Sequence, residues 1–292
     1  MFPGRILITG ASTGLGLAIA RELQGVGTRL VLTARPSSMK RFEALGIVDC
    51  EQTWLRPLDV TDVPQREALM AEIDATEEGL YALINNAGLS YRAVVEDVAE
   101  ADRLHQMNVN FRSPMALAVL ALPGMRRRGR GRIISVSSVG GMMAMPTMAV
   151  YSASKFALEG ASEAMWYEVK PWNIHVTLVQ PGFIQSDGFE KVRITEKGLA
   201  SMADAGSPYN AHYTHMADFI AQVMRRVPAT PESVARKVCR VLRMNNPPLR
   251  KAATVDAWLF AWIRRLLPRR VYHWLLYRML PGIQAWGPNQ RH

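Results

Sequence analysis

Tyr151 and Lys155 are four residues apart in AVYSASKFALEG, a stretch of mostly small and apolar residues (149–160) that predicts a helix. Side chains at positions i and i+4 share one helix face, so the phenol and the ammonium can point into one site. An ordinary tyrosine has a pKa of about 10, and a nearby cation favours its charged form. The pair therefore indicates a tyrosine that exchanges protons near neutral pH. The alternative is a polar rim on a packed helix.

Three glycines, Gly10, Gly14 and Gly16, follow a strand-like run in the stretch ITGASTGLGLAIA. A residue without Cβ permits a tight turn and a close backbone approach, and the N–H groups that begin a helix attract phosphate. Because this turn joins a predicted strand to a predicted helix, it favours a dinucleotide site over a plain turn.

The end of the second predicted strand, VLTARP, bears on the choice of cofactor. NAD sites use an acidic residue here for the ribose hydroxyls, but this chain has Ala34 followed by Arg35. A cation in place of an anion favours a 2′-phosphate, so we expect NADP(H). Lys40 and Arg41 either assist Arg35 or are ordinary surface residues.

The elements that must position these residues alternate between strands and helices. Longer helix-period segments, Leu15–Val26, Gln65–Ile73 and Ala101–Leu122, separate short apolar runs that read as buried strands. These runs are Arg5–Thr9, Arg29–Thr33, Trp54–Leu58, Tyr81–Ile84, Arg132–Val136 and Ile174–Val179. The rhythm predicts an α/β fold, a doubly wound parallel sheet of Rossmann type in a single domain with a C-terminal amphipathic helical tail.

The domain organisation follows from two breaks in this rhythm. We assign residues 1–255 to a catalytic, dinucleotide-binding domain and residues 256–292 to a basic, Trp-rich tail. Within the domain, the stretch Gly182–Arg226 is polar and weakly periodic. A long irregular segment in a compact domain is usually a functional loop, so we interpret about 183–226 as a substrate lid.

At this point the motifs resemble those of the short-chain dehydrogenase/reductases over roughly residues 4–255. TGASTGLG is similar to their cofactor turn, LDV to their adenine contact, and NNAG to the end of their fourth strand. MNVNFRS, SVSSVGG and YSASK match the segments that carry their catalytic residues, with Asn108 and Ser113 departing from the usual acid and glycine. KFALEG and SVGG are similar to the hydroxysteroid and retinol dehydrogenase branch.

The resemblance implies a role for each matched residue. Tyr151 would be the acid/base, Lys155 would lower its pKa and hold the ribose, Ser138 would polarise the carbonyl oxygen, and Asn110 would hold a relay water. The implied cofactor contacts, besides Tyr151 and Lys155, are Gly10, Ser12, Thr13, Gly14, Leu15, Gly16, Arg35, Asp59, Val60, Asn86, Ala87, Gly88, Pro181, Gly182, Ile184 and Ser186. The nicotinamide would carry the hydride chemistry.

The expected substrate is a lipophilic alcohol, ketone or aldehyde. Apolar residues of the lid and methionines after Ser138 suggest an adaptable apolar pocket, although ordinary packing explains them equally well. The expected substrate contacts are Ser138, Met145, Tyr151, Phe183, Phe189 and Tyr213. A 3-oxoacyl thioester or keto-lipid reductase is one alternative, and a non-catalytic NADP(H)-binding scaffold or sensor is another.

The tail is the segment that the family resemblance explains least. Trp258, Leu259, Trp262 and Leu266 recur at helical spacing, Pro268 should end that helix, and arginines flank the apolar residues. Of the net charge of +10, +6 lies between Lys251 and His292. The pattern is typical of a helix at a membrane surface, but packing over the substrate mouth or a neighbouring subunit fits as well. Nucleic acid is not expected, because no binding module accompanies the charge.

Composition limits the remaining possibilities. Two cysteines, Cys50 and Cys239, imply no disulfide framework, and a strand-like run almost at the N-terminus leaves no room for a signal peptide. We therefore expect a cytoplasmic protein, with peripheral membrane contact left open. The family resemblance implies a homodimer or tetramer formed through the long helices, one of which carries Tyr151. His212 and His215 lack acidic or cysteine partners at ligand spacing, so no metal is expected.

Overall fold

The computed structural model describes residues 2–185 and 193–287. Its main sheet is parallel, with the strand order β3-β2-β1-β4-β6-β7-β9. The bounds of these strands are β1 Arg5–Ile8, β2 Leu30–Ala34, β3 Thr53–Pro57, β4 Leu80–Asn85, β6 Gly131–Val136, β7 Ile174–Gln180 and β9 Arg250–Ala252. A small second sheet pairs β5 Tyr91–Arg92 with β8 Arg193–Ile194 in parallel.

Helices lie on both faces of the main sheet, after β8 and in the C-terminal tail. They are α1 Gly14–Gln24, α2 Lys40–Ala44, α3 Val63–Asp74, α4 Glu100–Met107, α5 Ser113–Arg127, α6 Ala149–Val169, α7 Glu196–Ala203, α8 Asn210–Arg226, α9 Pro231–Arg243, α10 Val255–Leu266 and α11 Arg269–Met279. Short 3₁₀ turns occupy Pro36–Ser38, Val95–Asp97, Val139–Gly141, Lys170–Trp172 and Ile283–Ala285.

Two hydrophobic clusters, one on each face of the sheet, form the core. α1 and α9 pack on one face, with Ile19 and Val238 fully buried. α3, α5 and α6 pack on the other, where Leu117 and Ile133 are buried. Because helices cover both faces, the central strands are buried along almost their whole length and are mostly apolar instead of alternating. The architecture confirms the predicted doubly wound α/β fold.

The predicted strands are confirmed to within a residue or two, but the sequence interpretation missed β9. This strand is only three residues long and carries Arg250 and Lys251, so it lacks the apolar run that identified the others. It pairs with β7, where Leu178 opposes Arg250. Because β9 pairs with a described strand on one side only, it is an edge strand. Charged side chains are common on edge strands.

Two helical segments also differ from the prediction. The long helix expected over Ala101–Leu122 is interrupted by a π-helical turn at Asn108–Arg112, which separates α4 from α5. The stretch expected to be an irregular lid contains α7 and α8. Tyr213, Met216 and Ile220 form the buried face of α8, a short periodicity that polar neighbours conceal in the sequence.

The tail forms two helices, α10 and α11, separated at Pro268 as predicted. Thr254 caps α10 by accepting a hydrogen bond from the Ala257 backbone N–H. Within residues 2–185 and 193–287, the helices are all too short or too polar to cross a lipid bilayer.

Candidate active site

A cavity of about 650 Å³ runs along the carboxyl ends of the parallel strands. One end lies at the glycine turn after β1 and the other at Tyr151 and the methionines after Ser138. In open α/β sheets, ligands bind in the crevice outside these strand ends. The cavity therefore joins the predicted cofactor site to the predicted catalytic residues.

The glycine turn has the shape that a phosphate site needs. Gly10 has a φ of 66°, and a Cβ there would lie 3.1 Å from the Cα of Ala87. The turn leads into the N-terminus of α1, where backbone N–H groups and the helix dipole favour an anion. Ser12, Thr13, Gly14 and Leu15 line the cavity here. The turn fits the pyrophosphate of a dinucleotide.

Gly16 lies behind this turn, outside the described residues that line the cavity. A Cβ at Gly16 would be 2.3 Å from the Gly10 carbonyl oxygen and 2.5 Å from Nδ2 of Asn86. The contact predicted between Gly16 and the cofactor is therefore better described as close packing of α1 against the turn.

Asn86 fastens the end of β4 to the end of β1. Its Nδ2 donates to the carbonyl oxygens of Thr9 (2.9 Å) and Gly10 (3.2 Å). The Thr9 hydroxyl in turn accepts hydrogen bonds from the backbone N–H groups of Asn86 and Ala87. Ala87 and Gly88 thereby line the floor of the cavity next to the glycine turn.

The adenine end of the cavity is positively charged. Arg35 lines it directly after β2, together with Arg41 and the predicted contacts Asp59 and Val60. The Asp59 carboxylate accepts hydrogen bonds from the backbone N–H and the hydroxyl of Thr61. Burial opposes ionisation of Asp59, but these hydrogen bonds and the charge of Arg35 bring its pKa below the usual value. Arg41, for which the sequence left a role open, thus lines the same cavity as Arg35.

Ser138 and Tyr151 meet at the other end. Ser138 follows β6, and its Oγ accepts a hydrogen bond from the Gly140 backbone N–H at 3.0 Å. Burial raises the pKa of the Tyr151 phenol, whereas a hydrogen bond with Ser138 and the charge of Arg92 act to lower it. Burial is the larger effect, so the pKa of Tyr151 is raised overall. This differs from the sequence interpretation, which expected Lys155 to lower that pKa.

Lys155 is turned towards the backbone of β6. Its Nζ donates to the Val136 carbonyl oxygen at 2.8 Å and lies 5.9 Å from the centroid of the Tyr151 ring. Burial lowers the pKa of Lys155 to about 8, although the charge of Glu159 opposes that change. The two side chains share one face of α6 and line the same cavity, as their spacing predicted.

Asn110 lies in the π-helical turn, a feature that is frequent at functional sites. Its Nδ2 donates to the Leu89 carbonyl oxygen (2.8 Å) and to Ser154 Oγ (3.0 Å). Its Oδ1 accepts from the Leu89 backbone N–H. The amide thus holds the segment after β4 against α6, the helix that carries Tyr151 and Lys155.

The substrate end of the cavity is largely apolar. Met145 and Phe183, both predicted substrate contacts, line it, and so do Met148 and Ile220. Pro181, Gly182 and Ile184 follow the end of β7 and also line the cavity. The predicted cofactor contact Ser186 and substrate contact Phe189 fall outside the described residues.

Tyr213, a further predicted substrate contact, occupies a different place. It is buried among Ala93, Val94 and Val98, and its hydroxyl donates to Asp97 Oδ2 at 2.7 Å. The Tyr213 hydroxyl oxygen in turn accepts a hydrogen bond from the Val94 backbone N–H. This position does not support a substrate contact. Tyr213 instead anchors α8 to the segment after β5. The polar composition of the predicted lid could not indicate this role.

Two further residues, Arg92 and Arg193, line the same cavity, and the sequence interpretation missed both. The charge of Arg92 acts on Tyr151, at the predicted substrate end. Arg92 lies on β5 and Arg193 on β8, which are adjacent strands of the small sheet. Neither belongs to a recognisable motif, and their strands are only two residues long. Their position depends on a long-range pairing that local sequence cannot reveal.

The tail packs beside this end of the cavity. Tyr272, Phe260 and Leu267 form a cluster with Val139, Met142 and Met143, the residues that follow Ser138. Asp256 accepts a hydrogen bond from the Phe183 backbone N–H at 3.0 Å. At the far end, Trp286 Nε1 donates to His215 Nδ1 on α8. The sequence left open whether the tail lies on a membrane, over the substrate mouth or on a neighbouring subunit. In the structure, the tail packs beside the predicted substrate end of the cavity of its own chain.

Comparisons with known proteins agree with this geometry. Residues 5–197 match the family model described as short chain dehydrogenase. A 3-ketodihydrosphingosine reductase of Bacteroides thetaiotaomicron is 33% identical over 277 residues, covering 94% of this chain and 97% of the relative. The 17-beta-hydroxysteroid dehydrogenase type 1 of Homo sapiens is 30% identical, covering 85% of this chain and 77% of the relative.

A solved structure extends the similarity to the whole fold. A short-chain dehydrogenase from Streptomyces avermitilis superposes with a TM-score of 0.75 at 27% identity, covering 94% of this chain and 98% of that one. The family match spans the glycine turn, Ser138, Tyr151 and Lys155, which the structure brings to one cavity. The chain belongs to the short-chain dehydrogenase family of oxidoreductases, which bind NAD(P)(H).

Proposed function

We propose that this oxidoreductase uses NADP(H) to interconvert a lipophilic alcohol and its ketone or aldehyde. The observation that carries the proposal is one cavity with the glycine turn and Arg35 at one end and the Ser138–Tyr151 pair at the other. An extended dinucleotide lying along this cavity would bring its nicotinamide towards the tyrosine. When bound, the cofactor supplies the hydride that the protein's own side chains cannot.

The protein residues supply the proton and the orientation. In the reductive direction, the protonated Tyr151 donates its phenolic proton to the carbonyl oxygen as that oxygen gains negative charge. Ser138 donates a hydrogen bond to the same oxygen and holds it beside the phenol. The Lys155 ammonium stabilises the tyrosinate that remains. Asn110 keeps the segment after β4 in place and, through Ser154, stays joined to α6.

The preference for NADP(H) rests on the residues after β2. Ala34 offers no carboxylate for the ribose hydroxyls, and Arg35 and Arg41 line the adenine end of the cavity. A guanidinium can donate two parallel hydrogen bonds to one phosphate group, which suits a 2′-phosphate.

A lipophilic substrate is supported by the apolar wall formed by Met145, Met148, Phe183 and Ile220. Methionine side chains adapt readily to a ligand of irregular shape. Reduction of a keto-lipid is a second candidate, favoured by the similarity to the 3-ketodihydrosphingosine reductase. We also propose a homo-oligomer formed through α5 and α6, on which Val119 and Tyr167 remain exposed.

The proposal is tested by NADPH oxidation with a panel of steroid, retinoid, long-chain keto-lipid and 3-oxoacyl thioester substrates. Tyr151→Phe should lower kcat for the best substrate by about 10²- to 10⁴-fold, the contribution typical of a general acid. NADPH affinity, measured by fluorescence titration, should be nearly unchanged. A kcat for Tyr151→Phe that stays near the wild-type value would refute the role of Tyr151. Tight NADPH binding with no turnover of any substrate would favour the scaffold or sensor function.

A further inference from the structure

The two tail helices each have an inner apolar face that is already covered. On α10, Ala257 is fully buried and Phe260 packs against the residues that follow Ser138. On α11, Tyr272 is buried and Leu276 is packed in the same cluster. The tail is therefore held by its own core contacts. Its fold does not require a partner on the opposite side.

The opposite side of both helices is also apolar, and it is exposed. We call it the outer face. It consists of Trp258, Leu259, Trp262, Leu266, Val271, Trp274 and Tyr277, which are 42–69% exposed. A surface helix of a soluble domain normally carries one apolar stripe and a polar opposite face. A concentration of large apolar side chains on the surface marks an interaction site.

Arginines are interleaved with the aromatic residues of the outer face. The Arg265 guanidinium lies 5.9 Å from the Trp262 ring centroid, and that of Arg278 lies 4.9 Å from the Trp274 centroid. Arg269 and Arg270, the first two residues of α11, are exposed. The sequence has no acidic residue from 257 to 292. Asp256, the acidic residue at the start of the tail, accepts a hydrogen bond from the Phe183 backbone N–H and is therefore engaged on the side of the cavity.

This charge pattern discriminates between possible occupants. In a twofold-symmetric dimer the same patch faces itself, so a second copy would bring the tail's arginines towards those of its partner without carboxylates to separate them. An anionic lipid surface instead supplies phosphates for the guanidinium groups and an interfacial layer in which tryptophan and tyrosine are favoured. We propose that the outer face binds the surface of an anionic lipid bilayer.

The proposal deepens the proposed function, because the same two helices pack beside the substrate end of the cavity. Met145 lines the cavity and also packs in the cluster that holds the tail. A bilayer on the outer face would therefore lie one helix layer from the apolar wall of the substrate site. A lipophilic substrate dissolved in that bilayer would be concentrated next to the site.

Flotation of the full-length protein with vesicles tests the binding without requiring turnover. The probes are phosphatidylcholine vesicles with and without phosphatidylglycerol, at low and high salt. We expect binding to the anionic vesicles that weakens at high salt. The triple change Arg265→Gln, Arg269→Gln, Arg270→Gln should weaken it by about fivefold for each charge removed. Trp258→Ser with Trp262→Ser and Trp274→Ser should abolish it.

The matched control is Trp172→Ser. Trp172 is 50% exposed and has Arg126 at 5.7 Å from its ring centroid, but it lies on the surface far from the tail in sequence. Its binding to anionic vesicles should equal that of the wild type. Circular dichroism and NADPH affinity should show that each variant is folded.

Three outcomes would overturn the lipid proposal. They are the absence of vesicle binding, equal loss of binding in Trp172→Ser, and a dimer in light scattering that the tail tryptophan changes convert to a monomer. None of these outcomes bears on the proposed reaction, which is followed separately with detergent-solubilised substrate and NADPH. Conversely, vesicle binding by a protein that turns over no substrate would leave the lipid surface established and refute the reaction alone.

Discussion

Glu159 lies one helical turn beyond Lys155 on α6, and both side chains are buried. Glu159 Oε1 accepts a hydrogen bond from Gln180 Nε2 at 2.9 Å, and Oε2 accepts one from Arg250 Nε at 2.8 Å. Burial lowers the pKa of Lys155 to about 8, and the charge of Glu159 limits that lowering. The protonation of the active-site lysine is thus coupled to a carboxylate that the last two strands of the sheet hold in place.

This coupling predicts the alkaline side of the pH profile. Lys155 is cationic below its pKa and loses its charge as the pH rises through about 8, so kcat should fall above that pH. Glu159→Gln removes the negative charge but keeps the shape, which lowers the pKa of Lys155 further. The fall should therefore begin at lower pH, with a loss of roughly fivefold at pH 8. Measurement of kcat from pH 5 to 10 checks both expectations.

Glu163→Gln is the control for this change. Glu163 accepts a hydrogen bond from Arg250 Nη2 at 2.8 Å, but it is more exposed than Glu159 and lies a further turn from Lys155. Its pH profile should match that of the wild type. A loss in Glu159→Gln that is the same at every pH would mean that the carboxylate only supports the fold.

Gly140 sets the position of the Tyr151 ring. A Cβ at Gly140 would lie 2.9 Å from Tyr151 Cε1 and 3.2 Å from Cδ1, closer than real Cβ contacts allow. Gly140→Ala should therefore push the ring away from its place beside Ser138. Because a misplacement of about 1 Å can cost 10²-fold in rate, we expect a loss of that order in kcat with little change in NADPH affinity.

Gly160→Ala is the matched change on α6. Apart from its own stretch of helix, no described part of the chain has an atom within 4 Å of the Cβ that it would add. Alanine is the better helix former, so thermal unfolding should show a stabilisation of about 0.5–1 kcal/mol. Activity should stay at the wild-type level. Equal activity in the two alanine variants would show that Gly140 does not constrain the tyrosine.

Arg35 should determine the preference for NADP(H). Removal of a charge-assisted hydrogen bond to a phosphate typically costs a factor of about 10 to 100 in binding. Arg35→Ser should weaken NADPH binding by that factor and leave NADH binding nearly unchanged, as measured by fluorescence titration with each cofactor. Lys40→Ser removes an exposed cation outside the described lining of the cavity and should leave both affinities unaltered. Parallel loss of both cofactors in Arg35→Ser would contradict the assignment.

Much of the fold and site could be predicted because their signals are local. Buried parallel strands appear as short apolar runs, and Tyr151 and Lys155 share a helix face whenever that segment is helical. The π-helical turn at Asn110, the strand β9 and the helices α7 and α8 were not predicted. Each depends on contacts with distant residues, such as the pairing of Arg250 with Leu178.

By itself, the amino-acid sequence determined the doubly wound sheet, the glycine turn and the order of the motifs, because helix and strand periodicity are properties of neighbouring residues. Tertiary structure alone decided which charged groups act on the catalytic pair. Glu159 reaches Arg250 and Gln180, and Arg92 enters the cavity, only after separate strands have come together. It also decided which face of the tail is covered and which is exposed, since both faces are apolar in the sequence.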